Sequence, residues 1–532
     1  MLPADHAELF TDTERARLAP FFTNSDRHIF ALTNLPETVK GALFARYSRS
    51  AKSLRRLFLD EFAQDMPEAP VTSASVGSAR ADKLYARVFS EYGDDSVAQL
   101  GGAHIACEYV SNILTKVLEW GRLMAYLEQS TRYVPYTDRL HGRWRYHIPA
   151  ELSGTLRERY TRTMDLAFEL YAKWIPAMQD HFAARFPKSP ADSDAVHRAA
   201  IRAKALDTLR GMLPASTQSN VGIYGTGQAY EALLLRMRAH PLEEVRACGG
   251  AMLEELRKVI PAFLTRVDLP DRGGRWSEYL ETCRNATAEV AQSLLQSSDD
   301  AGDPEEVTLT DYDPDGEVKI VAAALYAASA LPDETLIAAA RRMSVDERAA
   351  VLRAYVGERS NRRHRPGRAF ERTAYRFDVL TDYGAFRDLQ RHRLLTLEWQ
   401  PLTTRHGYTE PEAIREAGAG DDWDRVMEAS ADLQEALTAA ALPAPAQYAV
   451  VMAYRVRFYM EMNAREAMHL IELRTAPQGH PAYRRVCQKM HTLIAERAGH
   501  RAVADAMRFV DHSAVELERL GSERALEKKR QI

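Results

Sequence analysis

Cysteine is scarce in this chain. Four occur in 532 residues, Cys107, Cys248, Cys283 and Cys487, and no two stand at CxxC spacing. That excludes a cysteine-based zinc site and a disulfide framework, and it predicts buried, reduced thiols. Long apolar runs are missing too. No stretch of about 18 uncharged apolar residues exists, so no membrane span is expected. The opening Met1-Leu2-Pro3-Ala4-Asp5-His6 has no basic region followed by an apolar run, so no signal peptide is expected. Net charge is −4, so no global basic field draws the chain to nucleic acid or to an anionic membrane. A cytoplasmic location follows as an expectation. Several catalytic signatures are also absent: no GxSxG elbow, no Walker A loop and no HExxH, and Gly225-Thr226-Gly227 is too short for a dinucleotide fingerprint.

What is present is ordinary in composition and unusual in pattern. Hydrophobic content is 46% and charged content 27%, as in a globular protein. The length calls for two or more domains. The acidic stretch Ser297 to Glu306 reads as a linker. It divides the chain into 1–295 and 307–532, with 296–306 between them. Helical patterns dominate. Leu156–Met178 and Ala449–Ile471 carry apolar residues at helical spacing, and Ser344-Val345-Asp346-Glu347 is a capping box. Val307–Thr310, Val318–Val321 and Thr373–Leu380 are the best strand candidates. The fold class expected is α+β, helix-rich.

Two motifs occur twice. Leu213-Pro214, Arg236 and Arg246 have counterparts in Leu442-Pro443, Arg474 and Arg484. Both arginine pairs span ten residues, and Met252 and Met490 follow sixteen residues after the first arginine of each. Glu128, Ser130 and Arg132 follow Trp120-Gly121-Arg122 in the first half. Thr403 and Arg405 follow Arg391-His392-Arg393 in the second. The copies have lost different parts, which points to a duplication with one composite site.

The residue types suit anion binding. Spaced by two, Glu128, Ser130 and Arg132 would share one side of an extended segment. A hydroxyl beside a guanidinium makes a phosphate clamp, to which Arg210 adds a second guanidinium. In a helix, Arg465 and His469 face one way. Each pattern also has a plainer reading: a solvated basic turn at Arg391-His392-Arg393, an ion-pair face on the helix, an exposed polar strand face at Ser130. Another arginine-rich run, Asn361-Arg362-Arg363-His364-Arg365, carries no motif.

Taken together, these residues resemble the flavin-dependent thymidylate synthases, the ThyX-type family. That family carries an RHR triplet, then Glu, Ser and Arg, then ARxxLP, then NxR followed by His or Asn and a last Arg. Arg391, His392 and Arg393 match RHR, and Asn463, Arg465, His469 and Arg474 match the late run without gaps. Glu128, Ser130, Arg132 and Arg210 match the middle elements in the other half. Ala439 replaces the ARxxLP arginine of the second half, Asp388 stands where the family has Gln three residues before RHR, and Glu371-Arg372 replaces a Glu-His pair.

The resemblance implies two tandem ThyX-like domains forming a pseudodimer, the first a nucleotide-phosphate half and the second a flavin half. It implies FAD bound by Arg391, His392, Arg393, Asn463, Arg465 and His469. It implies a nucleotide phosphate held by Glu128, Ser130, Arg132 and Arg210, and a uracil polarised by Arg474. The implied reaction is reductive methylation of dUMP to dTMP with methylenetetrahydrofolate and NADPH. Two chains would pair into a pseudotetramer. The alternative is a non-catalytic homologue that binds flavin or nucleotide in a regulatory or assembly role.

Overall fold

This computed structural model describes residues 9–26, 32–47, 52–66, 99–130, 132, 134–295 and 305–530. The linker stretch 296–304 lies outside them. The described chain is α+β and helix-rich, with seven strands in two sheets. Strand β1 is Gly102–Ser111, β2 Met124–Glu128 and β3 Gln218–Thr226, in spatial order β1-β3-β2. Strand β4 is Val307–Tyr312, β5 Ala374–Asp382, β6 Thr396–Trp399 and β7 Arg455–Asn463, in order β4-β5-β7-β6. Dropping β4, the second order repeats the first strand for strand.

The helices repeat as well. A seven-residue helix follows β1 (Asn112–Leu118) and β5 (Tyr383–Leu389). Ser111 and Asp382 cap them, accepting from Leu114 N–H and Ala385 N–H. A longer helix follows β3 (Gly227–Arg238) and β7 (Ala464–Arg474), capped by Thr226 and Asn463. Each cap supplies an oxygen to one of the amides a helix start leaves unpaired.

Packing divides the chain into two compact units. One comprises Met1–Glu108, Gly121–Glu128 and Asn220–Ser298, the other Tyr109–Trp120, Gln129–Ser219 and Asp299–Ile532. The division passes through β1 and β3 as well as within the 296–306 linker stretch. In the first unit, β2 and β3 pair antiparallel from Met124↔Gly225 to Glu128↔Val221. Buried Tyr230 ties the sheet to the next helix through hydroxyl bonds to the carbonyls of Ala103 and Ile223, at 3.0 and 3.2 Å.

The second unit contains pieces of both repeats, and backbone hydrogen bonds join them. Ala215 N–H donates to Val450 O (2.8 Å), Met452 N–H to Leu213 O (2.9 Å) and Ala453 N–H to Gly211 O (3.0 Å). Leu213-Pro214 of the first repeat is thereby fixed to the segment before β7. Gly211 has to lack a side chain there, since a Cβ would lie 2.7 Å from the Trp423 ring and 3.1 Å from Ala453 Cβ. The helix Gly154–Arg185 carries the periodicity read over Leu156–Met178.

Two expectations fail. The stretch Ala449–Ile471 is not one helix: Arg455–Asn463 is the strand β7, with strictly alternating burial, and the helix starts at Ala464. Its pairing with β5 along all nine residues outweighs local helical spacing. Val318–Val321 is not a strand but part of the helix Gly316–Tyr326. The thiols are also more varied than expected. Cys107 and Cys487 are buried, Cys248 is half-buried and Cys283 is exposed.

Candidate functional site

All but one of the residues that the resemblance assigns to the site fall in the second unit. Glu128 is the exception. It ends β2 in the first unit, so the extended segment expected to carry Glu128, Ser130 and Arg132 does not continue as a strand past Glu128. Ser130 and Arg132 lie beyond the strand in a turn, where the Ser130 hydroxyl accepts from Arg132 N–H at 3.3 Å.

Arginines from both repeats then converge. Arg132 is clamped by Asp207: Nε lies 2.9 Å from both carboxylate oxygens and Nη2 lies 2.6 Å from Oδ2. Its Nη1 reaches the second repeat, 3.3 Å from Gln478 O and 3.4 Å from Tyr483 Oη. Arg210 is 4% exposed and sits 3.7 Å from Asp388. Its Nη2 has no hydrogen-bond partner among the described residues, although buried donors are nearly always paired. It lines a cavity of about 420 Å³ together with Asp207, Asp382, Trp423 and His480.

On the second-repeat side, Arg474 ends its helix. Its Nε donates to His392 Nε2 at 3.0 Å, and its Nη1 lies 3.8 Å from Asp388. Its guanidinium stands 5.4 Å from the Tyr483 ring centre. A guanidinium has only donors to offer. His392 Nε2 must therefore be an acceptor, which leaves the ring proton on Nδ1, facing Glu466 Oε1 at 3.3 Å. Burial first, then the nearby Arg474, His469 and Arg365, keep His392 neutral by holding its pKa well below the usual value. Burial raises Glu466 to about 7, against the pull of Arg365 and Arg465. The result is a chain Glu466–His392–Arg474 that fixes the direction of one guanidinium.

Asp388 is the hub. Burial pushes its carboxyl up, but Arg391, Arg474, Arg210 and Arg132 outweigh that and hold it at about 2. Arg391 pairs with it at 3.9 Å.

The remaining members border this core. Arg391 and Arg393 are exposed on either side of buried His392. Asn463 spends its side-chain oxygen on the helix cap, accepting from Glu466 N–H at 2.9 Å. Arg465 donates to Pro366 O at 2.9 Å and faces Glu371 at 3.6 Å. His469 packs edge-on to His392 with ring centres 5.5 Å apart. Burial and then the arginines Arg365, Arg362, Arg474 and Arg465 lower its pKa to about 4.

His392, Glu466 and His469 could together offer ligand atoms to a metal ion, all within 4.8 Å of one another. A cation would compete there with Arg474 at His392 and with Arg365 Nη2, 2.9 Å from His469 Nδ1.

Several participants lack a motif and escape sequence reasoning. Asp207, Tyr483 and Glu466 come close only in the fold. Arg365 belongs to the run Asn361–Arg365 that carries no motif. The segment before it is anchored by a buried bidentate pair, Arg359 with Glu472 at 2.5 and 2.6 Å.

The chain belongs to the Thy1 family, thymidylate synthase complementing protein, which matches residues 41–262 and 308–498. It is a tandem member, with two ThyX-like segments in one chain. A UPF0159 protein of Chlamydia muridarum (strain MoPn / Nigg) is 37% identical over 528 residues, covering 97% of this chain and 98% of the relative. A UPF0159 protein of Thermoplasma acidophilum is 31% identical over 519 residues, covering 91% and 97%. Among solved structures, the UMP/dUMP methylase PolB from Streptomyces cacaoi, bound with 5-Br dUMP, is 18% identical with a TM-score of 0.29. It covers 37% of this chain and 94% of its own. Among the described residues, no helix is long and apolar enough to cross a membrane.

Proposed function

We propose that this chain is a flavin-dependent enzyme transferring a one-carbon unit to a pyrimidine nucleotide, by default converting dUMP to dTMP with methylenetetrahydrofolate and NADPH. Family membership supports nucleotide methylation. The observation that carries the reading further is the Nη2 of buried Arg210, which has no hydrogen-bond partner among the described residues, in the cluster with Arg132 and Arg474. A buried guanidinium with a free donor favours an anionic acceptor such as a phosphate oxygen.

FAD fits the residues at the rim. Its pyrophosphate needs cationic donors, and Arg391, Arg393 and Arg365 are exposed next to Arg465 and His469. When bound, the flavin supplies a hydride after reduction by NADPH, and the folate supplies the carbon. The chain's own part is binding and charge stabilisation. Arg132 and Arg210 hold the phosphate. Arg474, oriented by His392, stabilises negative charge on the uracil oxygens. Neutral His392 accepts from Arg474 and so adds no competing positive charge. No cysteine nucleophile is required. Two chains would pair into a pseudotetramer.

The first test is a visible absorption spectrum of the FAD-loaded protein, with and without dUMP, followed by turnover. A bound-flavin spectrum that dUMP perturbs, with product formed, agrees with the proposal. A flavin signal indifferent to dUMP removes dUMP as substrate. Bound ligands without product favour the non-catalytic homologue, for which Asp388 among the arginines is the supporting observation.

A further inference from the structure

Asp388 stands where the family resemblance calls for an uncharged Gln. Its carboxylate lies 3.7 Å from Arg210 Nη1, 3.8 Å from Arg474 Nη1 and 3.9 Å from Arg391 Nη1. Arg132 acts on it from further away. These are ion-pair distances beyond hydrogen-bond length, so no single arginine has captured it. The side chain is 14% exposed, so an entering ligand can approach it.

The cluster therefore already contains an anion. A phosphate monoester carries close to two negative charges at neutral pH. On reaching Arg210 and Arg132 it would meet the field of Asp388 and share the same donors with it. An uncharged nucleoside meets no such repulsion. In a site of reduced dielectric, a like charge a few ångströms away outweighs most single hydrogen bonds.

We propose that Asp388 is a specificity-determining residue that sets the ligand charge accepted by this cluster, weakening binding of phosphate dianions relative to uncharged nucleosides. This rests on reading the cluster as a nucleotide-phosphate site. A purely structural role predicts the opposite behaviour. If Asp388 only held the arginines together, removing its charge would let them splay and would weaken every ligand.

The experiment measures equilibrium binding of inorganic phosphate, dUMP and deoxyuridine to the full chain and to Asp388→Asn. Asn keeps size and hydrogen-bonding capacity and removes the charge. Phosphate and dUMP should bind at least about tenfold more tightly, while deoxyuridine changes by less than about twofold. Asp388→Gln serves if the Asn variant folds poorly. Asp388→Glu, which keeps the charge, should show no gain. Unchanged or weaker phosphate binding in both neutral variants overturns the proposal. If phosphate tightens but dUMP binds none of the proteins, the inference stands and the nucleotide reading fails. If dUMP binds the natural chain and neither neutral variant differs, the nucleotide reading stands and the inference fails.

Discussion

Arg132 with Ser130 and Arg405 with Thr403 make the same backbone-to-hydroxyl bond and have different chemistry. In each, the arginine N–H donates to the hydroxyl two residues earlier at 3.3 Å. Yet Arg132 is gripped by Asp207 and turned toward Tyr483, whereas Arg405 is exposed. The same contrast separates the capped helices. Thr226 and Asn463 do equivalent work, but the first helix places Glu231 against Arg266 at 2.9 Å where the second places His469 beside His392. Backbone needs are met by any short side chain with an oxygen, so turns and caps survive divergence. A converging set of guanidiniums survives only where each partner is kept.

This contrast can be broken at several strengths. The largest effect expected is on turnover. Arg474→Ala should lower kcat at least about a hundredfold, the usual cost of losing a preorganised donor to developing charge. Arg236→Ala, its counterpart, should stay within about twofold. Steady-state rates of both variants check this, and equal losses would erase the distinction between the halves.

Next is stability. Arg132→Ala leaves the Asp207 carboxylate, which is 5% exposed, without its partner, at a cost of about 3 kcal/mol. Arg405→Ala should cost less than about 0.5 kcal/mol. Urea midpoints of the two variants give the comparison.

The next effect depends on pH and separates Glu466 from its counterpart Gln228. Burial raises Glu466 from 4.5 to about 7. The folded state therefore holds this proton more tightly than the unfolded chain does. Its contribution is complete below about pH 4.5 and is lost as pH rises through about 7. The difference of about 2.5 units bounds the effect at roughly 3 kcal/mol. Glu466→Gln, which copies the first repeat, should flatten the decline in unfolding free energy between pH 5 and 7. An unchanged slope would remove Glu466 as its source.

The smallest effects are the caps. Thr226→Ala and Asn463→Ala should each cost about 1 kcal/mol, readable as similar drops in urea midpoint. A much larger loss at Asn463 would show that it does more than cap.

The sequence carried much of this, unevenly. The capping box at Ser344 forms as written, Ser344 and Glu347 exchanging both bonds. Strands β4 and β5 lie where Val307–Thr310 and Thr373–Leu380 place them. Strand β7 was legible too, since Val456, Phe458, Met460 and Met462 alternate with polar residues. The helical spacing of the longer window hid that period of two. Val318–Val321 misleads for the converse reason: a β-branched run says little when the flanks Gly316 and Ala322–Leu325 belong to one helix. At the site, Arg210, His392 and Arg474 could be picked out through the family resemblance. Asp207, Tyr483 and Glu466 could not, because nothing local marks a residue whose partner lies far away in the chain. Asp388 was visible only as a departure, and its meaning depends on three arginines that the fold brings to it.

The central claim is that one nucleotide site is built from both repeats. Its most direct test is a calorimetric titration of FAD-loaded protein with dUMP, run on the natural chain and on Arg132→Ala and Arg405→Ala. The account predicts one dUMP bound per chain, lost with Arg132 and retained without Arg405. Two sites per chain, or binding lost with Arg405 and kept without Arg132, would contradict it.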